Sequence, residues 1–258
     1  MVVNGKNTEV NIERYYLRGA GALLHKIIRE DEDEERLSLI RDELTENLKP
    51  TSSTDRLFGI LNTNNRSGSG KRPDSIEDRS KSDNSIGENY IRDAVRNVLS
   101  HADSDKYIKI DSLMYLLPLS VMCLLLRKAD AVDESGKLFI SGVVDFGTRP
   151  SQLRNVSKTS FSAAQKRIER ALRQSGENLL AEMASEDRAQ LIKSAVGGVK
   201  GYYPRTAVAI GYTNSWTGTR YHVLKDPLIN ALVMAEIGSD GEEITLDDFC
   251  NRLFEHWG

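Results

Sequence analysis

Apolar residues near the start of the chain recur at intervals of three and four positions, the spacing that lines one face of an α-helix. The two halves of this apolar seam are Tyr16, Leu23, Leu24, Ile27, Ile28 and Leu37, Ile40, Leu44, Leu48. An unbroken acidic run, residues 30–35, lies between them. The pattern predicts helix over residues 12–48, with the acidic run as either the solvated turn of a helical hairpin or part of one long helix.

Residues 62–85 have the composition of a segment that stays unfolded. They are nearly all Asn, Ser, Gly, Asp, Lys and Arg, and Ile76 is their single large apolar residue. Such a segment cannot bury enough apolar surface to offset the entropy lost on ordering it. We therefore predict an N-terminal helical arm or hairpin over residues 1–61, a flexible linker over residues 62–86 and a main α+β domain over residues 87–258.

Residues 113–126 form the longest apolar run in the chain. Because nearly every face of this run is apolar, it predicts a core helix packed on all sides, with a kink or break at Pro118. It is too short to span a bilayer, and the N-terminal residues lack the layout of a signal peptide. We therefore expect a cytoplasmic protein with no membrane partner. Two alternating runs, residues 106–110 and 138–144, predict β-strands.

Helices and a pair of β-rich runs follow one another between residues 160 and 225. Ser160 predicts the cap of a helix over residues 161–173, and a further helical pair ends at Gly197-Gly198. Residues 206–212 and 219–224 predict a β-hairpin. The predicted fold class is mostly α (α+β): a helical body with a β-hairpin and an N-terminal helical arm, with a winged-helix-like arrangement of residues 160–225 as one option.

Two acidic amphipathic helices are predicted at the end of the chain. Asp226 and Pro227 begin the first, and Gly238 ends it. Thr245, with Asp248 three positions later, resembles a capping box for the second. Both cysteines, Cys123 in the apolar run and Cys250 on this last helix, are predicted to be reduced core residues.

The charge of the chain reverses sign in its middle. Residues 149–225 hold thirteen Lys/Arg and five Asp/Glu, a balance of +8, whereas the whole chain carries a net charge of −3. Clustered positive charge neutralises phosphates and releases their counterions. The segment therefore favours a polyanionic partner.

The residues that we predict to bind nucleic acid lie on the 161–173 helix, on the segment that leads into it and on the hairpin. They are Arg149, Arg154, Lys158, Lys166, Arg167, Arg170, Arg173, Trp216 and Arg220. In the hairpin, aromatic and basic side chains alternate, as they do on a platform that stacks bases; they are Tyr212, Trp216, Arg220 and Tyr221. The alternatives are core packing for these aromatics and, for the basic helix, an ordinary solvated face or an interface with the acidic flanks.

No pattern of catalytic or metal-binding residues accompanies the basic segment. The four histidines are far apart, and none has another metal-binding residue at a meaningful spacing. Phosphate-loop, dinucleotide-binding and Gly-x-Ser-x-Gly patterns are all incomplete. We predict no cofactor, no metal and no catalytic residue, and an enzyme ranks third among the functions because catalytic groups sometimes converge from distant positions.

These observations predict a non-catalytic nucleic-acid-binding subunit of a larger cytoplasmic assembly, such as a DNA-processing or anti-phage complex. The favoured partner is DNA, bound through its backbone with little sequence selectivity. Other protein subunits would dock on the N-terminal helices or the acidic C-terminal helices. The alternative is a protein–protein adaptor or scaffold subunit whose basic stretch docks an acidic partner.

Overall fold

The computed structural model describes residues 20–47, 85–101, 104–132, 151–181, 184–214, 218–238 and 243–257. About 83% of these residues are helical, and none lies in a β-strand. The helices within these ranges are α1 (Ala20–Arg29), α2 (Glu34–Asn47), α3 (Ser85–Ser100), α4 (Lys106–Val132), α5 (Ser151–Leu179), α6 (Ser185–Ala209), α7 (Asp226–Glu236) and α8 (Leu246–Trp257). The mostly helical part of the predicted fold class is confirmed.

The predicted β-hairpin, and with it the winged-helix-like arrangement of residues 160–225, is wrong. Residues 206–209 continue α6. After it, an isolated antiparallel bridge joins Thr213 to His222, and the Val223 N–H donates to the Tyr212 carbonyl, but no β-strand forms in the described residues. Gly211, at a φ of 76°, turns the chain out of α6. Strand propensity mainly measures how a side chain packs, and here Ala207 and Val208 pack as helical residues in the interior.

The first predicted strand is also wrong, because residues 106–110 form the first turns of α4. The Asp105 carboxylate accepts a hydrogen bond from the backbone N–H of Tyr107 at 2.8 Å and so caps this helix. The other predicted strand, residues 138–144, lies outside the described residues.

Helix α4 is the predicted core helix and packs against α1, α3, α5, α6 and α7. Leu116, Met122 and Leu119 are among its buried residues. The helix continues through Pro118, so of the predicted kink or break the break is wrong. Proline leaves the carbonyl of Met114 without its helical donor, and Met114 is 68% exposed, so water can reach that turn. Among the described helices, α4 alone is long and apolar enough to cross a membrane, and half of its most apolar window is buried inside the fold.

The acidic run separates two helices, so one long helix does not pass through it. Helix α1 ends at Arg29 and α2 begins at Glu34. The buried Asp31 accepts hydrogen bonds from the Arg36 guanidinium, which lowers the pKa of Asp31, and Arg36 also reaches Asp93 of α3 at 2.8 Å. The division of the chain into arm, linker and main domain stays a prediction.

The two predicted C-terminal helices are confirmed as α7 and α8. Thr245 Oγ1 accepts a hydrogen bond from the backbone N–H of Asp248 at 3.1 Å, as a helix cap does. Cys123 is buried as predicted, but the core position predicted for Cys250 is wrong, because Cys250 is exposed on α8.

Helices α5 and α6 form a long antiparallel hairpin. One end joins the core through Phe161, Ile168 and Tyr203. At the other end, a Cβ atom added to Gly176 would lie 2.6 Å from the Ile192 side chain, so only glycine allows this close approach. Helix α6 continues through Gly197-Gly198, so the helix end predicted there is wrong. A glycine inside a helix costs about 1 kcal/mol, and packing along the hairpin outweighs that cost.

Candidate nucleic-acid interface

Helix α5 has one buried face and one polar face. The side chains of Phe161, Ala164, Ile168 and Ala171 are buried. Successive residues turn by about 100°, so the opposite face presents residues that are all exposed: Asn155, Lys158, Thr159, Ser162, Lys166, Arg170 and Arg173. This set is called the cationic face below.

Both acidic residues of α5 are paired with basic residues of α6. Glu169 lies 3.3 Å from Lys200 Nζ, and Glu177 lies 3.1 Å from Arg188 Nε. Helix α5 has six basic residues against these two acids. The acids of α5 are therefore neutralised by bases of α6, and α5 itself carries more basic than acidic residues.

A shallow depression of about 380 Å³ runs along the cationic face. Its lining is Lys158, Thr159, Ser162, Ala163, Lys166, Arg167 and Arg170. These side chains supply ammonium, guanidinium and hydroxyl donors, and no carboxylate is among them. Such a surface is suited to the oxygens of phosphate groups.

Arg167 occupies a structural position within the basic cluster. Its guanidinium lies 2.6 Å from the Asp130 carboxylate, and the two side chains are only 11% and 12% exposed. The pair fastens α5 to the end of α4. Sequence periodicity grouped Arg167 with the other basic residues. It could not reveal the ion pair with Asp130, because Asp130 lies thirty-seven positions earlier in the chain.

The remaining predicted residues lie at the N-terminal end of α5, in the loop before α7 or outside the described ranges. The guanidinium carbon of Arg154 lies over the ring of Tyr221, 5.8 Å from the ring centre. Arg220 is partly buried beside Tyr221, and Arg149 and Trp216 lie outside the described residues. Tyr212 belongs to the core, where burial raises its pKa well above the ordinary value.

His222 is a buried residue to which the sequence pattern assigned no role. Its side chain is fully buried, and neither ring nitrogen has a hydrogen-bond partner. The ring centre lies 5.4 Å from that of Phe161 and 4.8 Å from that of Tyr212. Burial lowers the pKa of His222 to about 4, so the ring is neutral near pH 7.

The described residues contain no group of His, Cys, Asp and Glu that could hold a metal ion. A second depression, lined by Cys123 and His256 among others, encloses about 10 Å³, which is room for one water molecule. Burial raises the pKa of the Cys123 thiol to about 12, so this cysteine is protonated and inert near neutral pH.

No protein-family model, curated protein or solved structure matches this chain. Function is therefore inferred from the charge and geometry of α5 and of the loop that packs on it. The cationic face, with its depression of about 380 Å³, is the candidate site for a charged partner.

Proposed function

We propose that this chain is a non-catalytic nucleic-acid-binding subunit that contacts the phosphate backbone through the cationic face of α5. The observation that supports the proposal most strongly is the exposure of four basic side chains on one face of α5, namely Lys158, Lys166, Arg170 and Arg173. A cytoplasmic assembly, such as a DNA-processing or anti-phage complex, is part of the proposal. Within it, the N-terminal or acidic C-terminal helices would dock other subunits.

The dimensions of the cationic face suit several consecutive phosphates. From Lys158 to Arg173 the helix rises about 22 Å, at 1.5 Å per residue. One strand of B-DNA carries a phosphate about every 3.4 Å along its axis. The cations at Lys158, Lys166, Arg170 and Arg173 are spread along this length, so they would reach separate phosphates rather than compete for one.

The proposal is tested by removing two exposed cations of the face, as in Lys158→Ala/Lys166→Ala. Neither lysine has an ion-pair partner among the described residues, so the fold should tolerate the change. Two lost phosphate contacts should weaken binding to a short DNA or RNA oligonucleotide by roughly 10- to 60-fold at about 0.1 M salt. Fluorescence anisotropy with a labelled oligonucleotide measures the loss. Arg167→Ala is unsuitable for this purpose, because it would break the largely buried ion pair between Arg167 and Asp130.

The matched control is Arg29→Ala/Lys106→Ala, which removes two basic residues from α1 and from the start of α4. Both double variants change the net charge from −3 to −5, so an effect of net charge alone would be the same in both. Unchanged affinity in the control and a loss in the α5 variant would support the proposal. Equal losses, or no binding by the unmodified chain at low salt, would refute it.

An acidic protein partner is the second candidate, because a carboxylate pairs with a cation of this same helix in Arg167–Asp130. The exposed apolar residues Tyr107, Ile108 and Met114 on α4 also favour a protein contact. Competition separates the candidates. Polyglutamate matched in charge to the oligonucleotide should displace it poorly if phosphates and bases are recognised, and equally well if the face docks acidic proteins.

A further inference from the structure

A cation–π pair lies at the N-terminal end of the cationic face. The guanidinium carbon of Arg154 lies over the ring of Tyr221, 5.8 Å from the ring centre, and both side chains are partly exposed. Arg154 is four residues before Lys158, so the two lie one helical turn, about 6 Å, apart along α5. Flat groups on which a base could stack are therefore next to the first phosphate-binding lysine.

The loop that carries Tyr221 is held firmly against α5. The backbone N–H of His222 donates to Ser157 Oγ at 2.6 Å, and both residues are fully buried. The N–H of Tyr221 donates to Asn214 Oδ1 at 3.0 Å, and the N–H of Val223 donates to the carbonyl of Tyr212 at 3.1 Å. The backbone that carries Tyr221 is thus held next to the cationic face before any ligand binds, which lowers the entropy lost on binding.

We infer that the site prefers single-stranded nucleic acid, with phosphates along the cationic face and an unpaired base stacked at the Arg154–Tyr221 pair. This inference rests on the proposed function and deepens it. Bases of a duplex are stacked inside the helix and present only their edges in the grooves. An unpaired base can turn outward and stack on an aromatic ring or a guanidinium plane.

The first test varies the nucleic acid and leaves the protein unchanged. Three probes of equal length are compared by anisotropy: a single strand with bases, the same backbone with abasic sites, and a duplex. Stacking of one base is expected to make the complete strand bind roughly 5- to 100-fold more tightly than the abasic strand. Equal binding of the complete and abasic strands would overturn the inference and leave backbone binding intact. Binding of none of the probes would overturn the proposed function as well.

The second test varies the ring. Tyr221→Phe keeps the aromatic face and should retain the difference between complete and abasic strands, whereas Tyr221→Leu should reduce it severalfold. Arg154→Lys keeps the charge but removes the planar guanidinium, and it should lower binding of the complete strand more than binding of the abasic strand. Thermal unfolding checks that each variant is folded. If Tyr221→Leu does not fold, Tyr221→Phe and the abasic probe still test the inference. If Tyr221→Leu folds and prefers the complete strand over the abasic strand as strongly as the unmodified chain does, the inference is contradicted.

Discussion

The buried imidazole of His222 makes stability depend on pH. In the folded chain the pKa of His222 is about 4, against an ordinary value of 6.5. The unfolded chain therefore takes up this proton first as the pH falls. The stability associated with a neutral His222 is complete above about pH 6.5 and is lost between about pH 6.5 and 4, by up to about 3 kcal/mol.

We predict that urea unfolding of the chain shows this loss and that His222→Leu shows less of it. Leucine removes the titrating group and keeps an apolar side chain beside Phe161 and Tyr212. The free energy of unfolding is measured at about pH 7 and about pH 5 for both proteins. If the free energy of unfolding falls equally with pH in the unmodified chain and in His222→Leu, other groups, and not His222, cause the loss.

The exposure of the basic residues of α5 could be predicted where it depends on helical spacing. It could not be predicted where it depends on a partner residue that is distant in the sequence. Spacing placed Lys166, Arg170 and Arg173 opposite the buried Phe161, and the structure exposes all three. The same spacing could not show that Arg167 pairs with Asp130, because that contact depends on how α5 packs against α4. The His222 ring is buried without a hydrogen-bond partner, and this too depends on how the helices and loops pack together.

At the scale of elements, α8 is fastened by polar contacts at its C-terminal end. The buried Glu236 of α7 lies 2.7 Å from His256 Nδ1 and accepts a hydrogen bond from Trp257 Nε1 at 2.6 Å. The Arg127 guanidinium donates to the carbonyls of Glu255 and His256. A cation at the last carbonyls of a helix also interacts favourably with the helix dipole.

We predict that Glu236→Gln destabilises the docking of α8 by about 1–3 kcal/mol, because a neutral amide replaces a buried carboxylate and hydrogen bonds to a charged group are stronger than those to a neutral one. Hydrogen exchange at the α8 amides should accelerate more than exchange in α4. Glu243→Gln, at an exposed position before α8, is the control and should leave exchange unchanged. Similar exchange in Glu236→Gln and the unmodified chain would contradict the role of Glu236.

Element prediction worked for long periodic segments and failed for short alternating ones. The spacing of apolar residues and the capping residues identified α7 and α8 nearly to their ends. Residues 106–110 and 206–212 alternate over too few positions to separate a strand from the end of a buried helix. In both cases contacts with neighbouring helices determined the structure.

At the scale of the whole molecule, an acidic chain presents a local basic surface. The net charge is −3, yet α5 alone has six basic and two acidic residues. The reversal of charge was visible in the sequence, whereas the pairing of the α5 acids with α6 was not, because it requires the antiparallel hairpin. Acidic surroundings also repel a polyanion that approaches elsewhere, so binding should be confined to the cationic face.

The most direct measurement is the affinity for a single-stranded oligonucleotide across a salt series. If Lys158, Lys166, Arg170 and Arg173 each contact a phosphate, the logarithm of the binding constant should fall against the logarithm of salt concentration with a slope of about −3. The slope of Lys158→Ala/Lys166→Ala should be shallower by about 1.4. A slope near zero, an unchanged slope in the double variant, or no binding at low salt would contradict the assignment of a nucleic-acid-binding face to α5.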